Sequence, residues 1–547
     1  MKIKIYICLT LALLGVILLA ACHPSKEPSD TAATSPLEST AASAEVTQEA
    51  VTENLTQPDV PAPETQPETE PEAEETTEAF VTVDPAPEDK IHAAPVKVLS
   101  TGEHTVEISA LTVNLGKGKT HVRVITPLGY ACQGFSYEGT LYAGDLIPLS
   151  ILRSEARVTL RVSYATRELP IVNISVNGQA IESKTDYVDM TFSLENTEDI
   201  MMAVPGGIRL RGNSTAEMPK KPYRIKFAQK HSLFGLDKAK SWVLLAEYLD
   251  PSCLHNYAAM YLGAASDELA FTPAIHHVNL YLDGAYMGIY SLCQQVEEER
   301  LGIEQKITSK MRDLMDFSFF VCMDERAPEE DEPYFFVPSV GRYFQLKYPR
   351  QEDFSSRRQF DRFMTQLEAY YNKMADAFNQ RNNSWLRQNI HTDTLMDHLI
   401  IDQIMGEEDH VWKSFYSYHD ATDESRQGKI SFGPIWDYDY CLYTPWTGEP
   451  NQCYDIDTMV QYSNFFYRGF IESRYGTKVA SRYKQHYADV LTDLIAHLRK
   501  YRASIKESLA LNQERWYSYD PHLTENNFDF MIRFLQSRQQ VLGRLWG

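Results

Sequence analysis

The order of two hydrophobic patterns along the chain is the feature that most limits its fold. Between Val96 and Cys293, short runs alternate apolar and polar residues and are separated by glycine-containing turns, which is typical of β-strands. Beyond about Glu297, apolar residues recur at helical spacing. The predicted helices are Ser355 to Phe378, Asp393 to Met405, Thr477 to Leu498 and Asn527 to Leu545. The chain is therefore predicted to be an α+β protein in which a β-rich part precedes a helical part.

The first 22 residues have the pattern of a secretory leader. Lys2 and Lys4 precede an apolar run from Ile5 to Leu19, and small residues lead from there to Cys22. This arrangement resembles a bacterial lipoprotein signal, in which cleavage leaves a lipidated cysteine at the N-terminus. An uncleaved transmembrane anchor is the alternative, but the apolar run is short for a bilayer span. We therefore expect an extracytoplasmic lipoprotein anchored to the membrane through Cys22.

Residues 23–90 are predicted to be a disordered, acidic tether. They are rich in Pro, Thr, Ser, Ala and Glu and poor in aromatic residues, so they cannot bury enough surface to fold alone. Acidic residues in this segment supply about −15 of the formal net charge of −23. The rest of the chain is mildly acidic. We expect no nucleic-acid partner, because proteins that bind nucleic acids present a basic surface.

Two domains are predicted after the tether. Residues 91–168 contain short alternating runs and are expected to form a small β-sandwich, which serves as a spacer or a binding module. Residues 169–547 are expected to form a larger domain with a helix from Pro251 to about Ala265 and a β-hairpin that turns at Asp283-Gly284. The cysteines show no spacing typical of a zinc site, so core packing is their expected role.

The run Ile435-Trp436-Asp437-Tyr438-Asp439 carries the clearest chemical signal. Two carboxylates two residues apart on an extended segment point to one side, and the apolar residues around them suggest a strand that delivers them into a cleft. Hard oxygen ligands of this kind suit Mg²⁺ that carries nucleotide phosphates. Asp409, at the end of an apolar helical pattern, adds a candidate base. A solvated acidic turn is the alternative, because charged residues mostly lie in water.

Three segments together resemble the CotH family, the spore-coat-protein-H-like atypical protein kinases. The resemblance covers roughly residues 169 to 545. Its motifs are Arg211-Gly212-Asn213-Ser214-Thr215 with Lys220-Lys221-Pro222-Tyr223-Arg224-Ile225-Lys226-Phe227, the run from Val278 to Tyr290, and Ile435-Trp436-Asp437-Tyr438-Asp439. The resemblance implies a bilobal protein-kinase-like fold that binds ATP with Mg²⁺ and phosphorylates Ser or Thr hydroxyls of a protein substrate.

The resemblance also implies roles for individual residues. Asp409 matches the catalytic-loop acid, and Asp437 matches the metal-binding first residue of the kinase Asp-Phe-Gly motif. Asp439 is expected to share the metal or to orient Asp437. Lys226 is expected to reach the nucleotide phosphates, and its alternative is a solvated strand lysine.

The turn that contains Arg211 and Gly212 is the second candidate nucleotide contact. A glycine-containing turn brings backbone N–H groups close to phosphates, and the guanidinium adds positive charge. An ordinary structural turn is an equally good interpretation, because Gly followed by Asn and Ser is common turn chemistry.

The chain departs from the kinase pattern at three positions, which leaves other functions open. Ser414 stands where kinases usually place a metal-binding Asn, and a hydroxyl is a weaker ligand for Mg²⁺. Gln294 replaces a Glu of the family, and His255 replaces an Arg. A catalytically silent surface scaffold or binding protein is therefore the alternative to a kinase. A metal-dependent hydrolase fits less well, because no histidine cluster accompanies the acidic run.

Overall fold

The computed structural model describes residues 80–151, 157–423, 428–442 and 463–547. The predicted leader, with Cys22, and most of the predicted tether lie outside the described residues. Thr77–Gly547 form one compact unit. The end of the predicted tether belongs to this unit, because Val81 pairs with Tyr142 and Glu88–Lys90 form a 3₁₀ turn. Within the described ranges, no helix has both the length and the apolar character needed to cross a membrane.

Two sheets with a shared core form the first folded part of the chain. Its strands are β1 Ile91–Pro95, β2 Gly102–Glu107, β3 His121–Ile125, β4 Tyr130–Tyr137, β5 Thr140–Ala143, β6 Leu146–Pro148 and β7 Arg157–Tyr164, and helix α1 spans Ile108–Thr112. The strand orders are β1-β3-β6 and β2-β7-β4-β5. Val122, Phe135 and Leu160 are fully buried between them. Alternating burial along β7 follows the alternation in the sequence.

A closed β-barrel follows. Its strands are β8 Ile171–Ser175, β9 Val188–Glu195, β10 Met201–Leu210, β11 Tyr223–His231, β12 Ala239–Leu245, β13 His276–Leu282 and β14 Ala285–Gln294, in the order β10-β11-β12-β14-β13-β8-β9. Ile225, Trp242 and Leu280 fill its interior. The predicted hairpin is confirmed, because Asp283 and Gly284 both have positive φ and join β13 to β14. Helix α2, His255–Ala264, lies between β12 and β13.

The C-terminal part combines helices with a second large sheet. The helices are α3 Arg357–Asn379, α4 Asn383–Asn389, α5 Thr392–Met405, α6 Phe465–Phe470, α7 Gly476–Arg482, α8 Ala488–Ser504, α9 Lys506–Trp516 and α10 Leu523–Trp546. The strands are β15 Phe319–Met323, β16 Tyr334–Val337, β17 Arg342–Tyr348, β18 Phe415–His419 and β19 Ile430–Phe432, in the order β16-β17-β15-β18-β19. The four predicted helices are confirmed, whereas this sheet was not predicted. The chain is an α+β protein.

The acidic run follows this sheet in irregular structure. Strand β19 ends at Phe432, and Asp437 adopts a φ of 73°. The predicted strand through Asp437 and Asp439 is therefore wrong, because a left-handed residue cannot continue an extended segment. Asp409 begins a 3₁₀ turn after α5, which ends at Gly406 with a φ of 59°.

Two contacts tie the barrel to the rest of the unit. On one side, the Tyr130 hydroxyl donates to the Gly284 carbonyl at 2.8 Å, and the Tyr281 hydroxyl donates to the Gly129 carbonyl at 2.7 Å. On the other side, α9 packs on β14, where Asn512 Oδ1 accepts from the Ile289 N–H at 3.1 Å. The barrel is thus held between the N-terminal sheets and the C-terminal helices.

Candidate active site

A cavity of about 640 Å³ lies between the barrel and the second sheet. The barrel side contributes Arg209, the loop Arg211–Thr215 and Arg224, and the opposite side contributes Asp324, Lys347, Lys413, Ser414, Trp436, Asp437 and Asp439. Acidic and basic groups from distant parts of the sequence therefore share one polar cavity. The three predicted metal ligands, Asp437, Asp439 and Ser414, line it together with the predicted glycine turn.

Asp437 and Ser414 are held together at the base of the cavity. The Ser414 hydroxyl donates to Asp437 Oδ2 at 2.9 Å. Both residues have positive φ, 55° for Ser414 and 73° for Asp437, a conformation that costs about 1 kcal/mol or more for residues other than glycine. Such backbone conformations persist where the surrounding structure enforces them and often occur at functional sites. Ser414, one of the predicted metal ligands, therefore lies directly beside Asp437.

Asp409 lies close to these residues through Lys413. The Lys413 ammonium is 2.9 Å from Asp409 Oδ2, and both side chains are largely buried. Burial opposes the charge of Lys413, but Asp437 and Asp409 outweigh it and raise the pKa of this lysine above its usual value. Lys413 is thus a permanent cation between the predicted base and the predicted metal ligands. Lys413 was not predicted as a site residue, although it follows Asp409 by four residues in the sequence.

The carboxylates of the cavity repel one another. Burial, and then the charge of Asp437, raise the pKa of Asp439 well above its usual value. Glu247, which is fully buried behind them, has its pKa raised to about 7 by burial and by Asp250. Its Oε1 atom has no hydrogen-bond partner. A divalent cation would relieve this repulsion, and carboxylate oxygens are the donors that Mg²⁺ prefers, so the residues present fit such an ion.

Helix α2 fixes the backbone of the acidic run. The Tyr438 N–H donates to Asn256 Oδ1 at 2.8 Å. The side-chain Nδ2 of Asn256 in turn donates to Glu247 Oε2 at 3.0 Å. His255 Nδ1 lies 3.3 Å from the Asp439 carbonyl oxygen, to which it donates. His255, which replaces an arginine of the family, therefore still contacts the acidic run. Gln294, in contrast, accepts from the Ala274 N–H and is not among the described residues that line this cavity.

The barrel side of the cavity is basic. Arg211 lies over the Trp436 ring at 5.5 Å, which places its guanidinium beside the acidic run. Gly212 has a φ of 79°, a conformation that glycine adopts without steric cost. Arg224 also lines the cavity and pairs with Glu297 at 3.0 Å. The loop thus offers a guanidinium and a flexible backbone at the place expected for phosphate contacts.

Lys226 is not brought to the described cavity. It is exposed on β11, where it pairs with Gly207 and Ser241. Arg224 points to the same side of β11 but lies two residues, about 7 Å, closer to the loop. Of these two residues on one face of β11, Arg224 lines the cavity and Lys226 does not.

Comparison with known proteins identifies a family. A family model described as CotH kinase protein matches residues 208–542. The matched range begins in β10 and includes both sides of the cavity, from Arg211 to Asp439. No curated protein matches the chain.

Proposed function

Because this chain belongs to the CotH kinase protein family, we propose that it is an ATP- and Mg²⁺-dependent kinase that phosphorylates Ser or Thr hydroxyls of proteins. In this proposal the barrel and the helical part are the two lobes of a protein-kinase-like fold, with the nucleotide between them. The observation that supports this proposal is the cavity in which Asp437, Asp439 and Ser414 lie opposite Arg211 and the Gly212 loop.

Each side of the cavity has a distinct task in this proposal. Asp437, Asp439 and Ser414 would hold Mg²⁺, which neutralises phosphate charge when it is bound. Arg211 and the backbone at Gly212 bind phosphate oxygens from the barrel side. Positioning and charge neutralisation supply most of the rate in phosphoryl transfer, so a preorganised set of opposite charges suits the reaction.

Asp409 accepts and orients the attacking hydroxyl. Its backbone N–H donates to Glu407 Oε1 at 2.5 Å, which fixes the start of the 3₁₀ turn. Lys413, which lines the cavity, holds the Asp409 carboxylate at 2.9 Å, whereas Asp409 itself is not among the described residues that line the cavity. When the nucleotide phosphates enter the cavity, Lys413 contacts them in place of Asp409. The Asp409 carboxylate can then accept the proton of the attacking hydroxyl.

The proposed setting is the outer surface of a bacterial membrane. The lipoprotein-type leader places Cys22 at the membrane, and the acidic residues 23–79 separate the lipid from the folded unit. The partners are then a protein substrate with accessible Ser or Thr, a nucleotide and the membrane. A nucleic-acid partner is not proposed, because the net charge is −23.

A catalytically silent scaffold is the second candidate function. It is favoured by Ser414, whose short hydroxyl is already committed to Asp437 where kinases usually carry an amide. The two candidates differ in whether Mg-ATP binds the cavity.

Thermal-shift titration of the purified protein with ATP, with and without Mg²⁺, separates these candidates. At a hundred times its dissociation constant, a ligand adds about 2.7 kcal/mol of stability. We expect Mg²⁺-dependent stabilisation by ATP, its loss in Asp437→Ala, and its retention in Asp409→Ala. Asp376→Ala, an exposed carboxylate on α3, is the matched control.

Transfer of labelled phosphate from ATP to protein then tests the reaction itself. Asp409→Ala and Asp437→Ala should both abolish transfer, whereas Asp376→Ala should retain it. Wild-type protein without Mg²⁺-dependent ATP binding would favour the scaffold. Equal labelling by wild type and by both cavity variants would refute the assigned roles.

A further inference from the structure

One buried carboxylate lies at the meeting point of four separate elements. Asp402, on α5, is fully buried. Its Oδ1 accepts from the Tyr438 hydroxyl at 2.6 Å, and its Oδ2 accepts from the Tyr467 hydroxyl at 2.6 Å. His410 Nδ1 lies 3.0 Å from Oδ2 and 3.1 Å from Oδ1. These donors belong to the acidic run, to α6 and to the 3₁₀ turn of Asp409.

His410 extends this network to the backbone before Asp437. Its Nε2 lies 2.8 Å from the Trp436 carbonyl oxygen. A carbonyl and an ionised carboxylate only accept hydrogen bonds, so both ring nitrogens of His410 carry protons and the ring is an imidazolium. The charge is consistent with its pKa: burial opposes it, but Asp402 raises the pKa of His410 to about 10. A buried ion pair therefore links α5 to the 3₁₀ turn of Asp409 and to the backbone that precedes Asp437.

The same group has the composition of a metal site. Ligand atoms of His398, Asp402 and His410 lie within 4.8 Å of one another. His398 Nδ1, however, lies 2.6 Å from the Tyr467 hydroxyl, which in turn donates to Asp402. Protons thus occupy the spaces between these atoms, and Asp402 is saturated by donors. The hydrogen-bond pattern favours a structural ion pair over a bound cation.

The residues next to this network in the sequence are those with proposed catalytic or metal-binding roles. His410 follows Asp409 directly, Trp436 precedes Asp437, and Tyr438 separates Asp437 from Asp439. We propose that Asp402, His410 and Tyr438 are positioning residues that set the distance between the hydroxyl-orienting acid and the metal-binding acids. This inference rests on the proposed kinase function. None of the three needs to touch nucleotide or substrate to exert this effect.

Two tyrosines that share one acceptor allow a matched test. Tyr438→Phe and Tyr467→Phe each remove one phenolic hydroxyl from Asp402, and both rings are fully buried. Only Tyr438 belongs to the acidic run. If the network positions the metal ligands, Tyr438→Phe should raise the Mg²⁺ concentration for half-maximal stabilisation by ATP about tenfold. Tyr467→Phe should change it less than twofold, although this variant also loses the contact with His398 and should lose at least as much melting temperature.

The measurement is a Mg²⁺ titration at fixed ATP, read by melting temperature and by equilibrium nucleotide binding. Equal Mg²⁺ dependence of the two variants would overturn the positioning role and leave the kinase proposal intact. Wild-type protein that shows no Mg²⁺-dependent ATP binding would overturn both. Zn²⁺ alone, titrated into the wild type, should not raise the melting temperature. A rise that His398→Ala abolishes would replace the ion pair by a metal site and overturn the inference.

Discussion

The buried imidazolium of His410 makes the stability of the protein depend on pH in a defined direction. In an unfolded chain the pKa of a histidine is about 6.5. In the folded protein Asp402 raises the pKa of His410 to about 10, against the opposing effect of burial. A group whose folded pKa is raised contributes its full stabilisation below the unfolded pKa. That contribution is lost as the pH rises from about 6.5 to about 10.

The size of the effect follows from these two pKa values. Each tenfold change in proton affinity corresponds to about 1.4 kcal/mol, so the His410 contribution is about 5 kcal/mol at its largest. The side chain is fully buried, so solvent does not screen it. Between pH 7 and pH 10 the free energy of unfolding should therefore fall by roughly 3–4 kcal/mol in total through this residue alone, most steeply near pH 8.

Other groups titrate in the same range, so a variant must isolate the histidine. Burial lowers the pKa of Lys220 to about 8, and this lysine makes the folded state more stable as the pH rises, which opposes the His410 effect. His410→Gln keeps Lys220 and removes only the imidazolium. We expect the variant to be less stable than wild type by about 3–5 kcal/mol at pH 6, because Asp402 loses its charged partner.

The assay is urea denaturation of wild type and His410→Gln at pH 6, 7, 8, 9 and 10. The difference in free energy of unfolding between the two proteins should shrink steadily toward pH 10. Subtraction removes the contribution of Lys220 and of other shared groups that lie away from His410. Glu407 does not cancel fully, because burial raises its pKa and the charge of His410 lowers it. Parallel curves over this range would show that His410 is neutral in the folded protein, and the buried ion pair would be refuted.

Four further substitutions test the cavity and the packing of the barrel. Ser414→Asn should lower the Mg²⁺ concentration needed for ATP-dependent stabilisation several-fold. An amide oxygen reaches further toward the ion than a hydroxyl does, and Asn tolerates the positive φ of 55°. An unchanged or higher Mg²⁺ requirement would contradict this. Gly288→Ala should destabilise the protein by about 3 kcal/mol in urea denaturation, because φ is 98° and the new Cβ would overlap Asn512. A urea midpoint equal to that of wild type would show that α9 does not pack on β14 as described. Lys226→Ala should leave ATP affinity unchanged, whereas Arg211→Ala should weaken it about tenfold, and the reverse order would restore Lys226 as the phosphate contact.

Sequence pattern was sufficient for the elements with strong periodicity. The helices at Arg357–Asn379 and Leu523–Trp546 have one apolar face, and β7 alternates regularly, so their periods identify them. Strand β15, Phe319–Met323, was missed because all five of its residues are buried. A strand buried on both faces shows no alternation, and a short apolar run of this kind cannot be distinguished from a buried helical segment.

The candidate site was predicted in its chemistry more than in its geometry. Asp437, Asp439 and Ser414 line the same cavity as Gly212, but Asp437 and Ser414 have left-handed backbone and do not belong to a strand. That conformation depends on contacts from Asn256 and His410, which come from distant positions and have no local sequence signal. A sequence pattern reflects the local conformational preference of the chain. It therefore indicates residue types but not the tertiary contacts that orient their side chains.

The first folded part of the chain cannot be treated as a detachable module. Tyr281 and Tyr286 of the barrel belong to the same buried core as Phe135 and Leu160, and the Gly129 backbone leaves no room for a side chain beside Tyr286. A truncated protein that starts at residue 169 would expose these rings to water and would be prone to aggregate. Replacement of this part by an unrelated domain would fail for the same reason, since the barrel needs a complementary surface on that side in order to stay soluble.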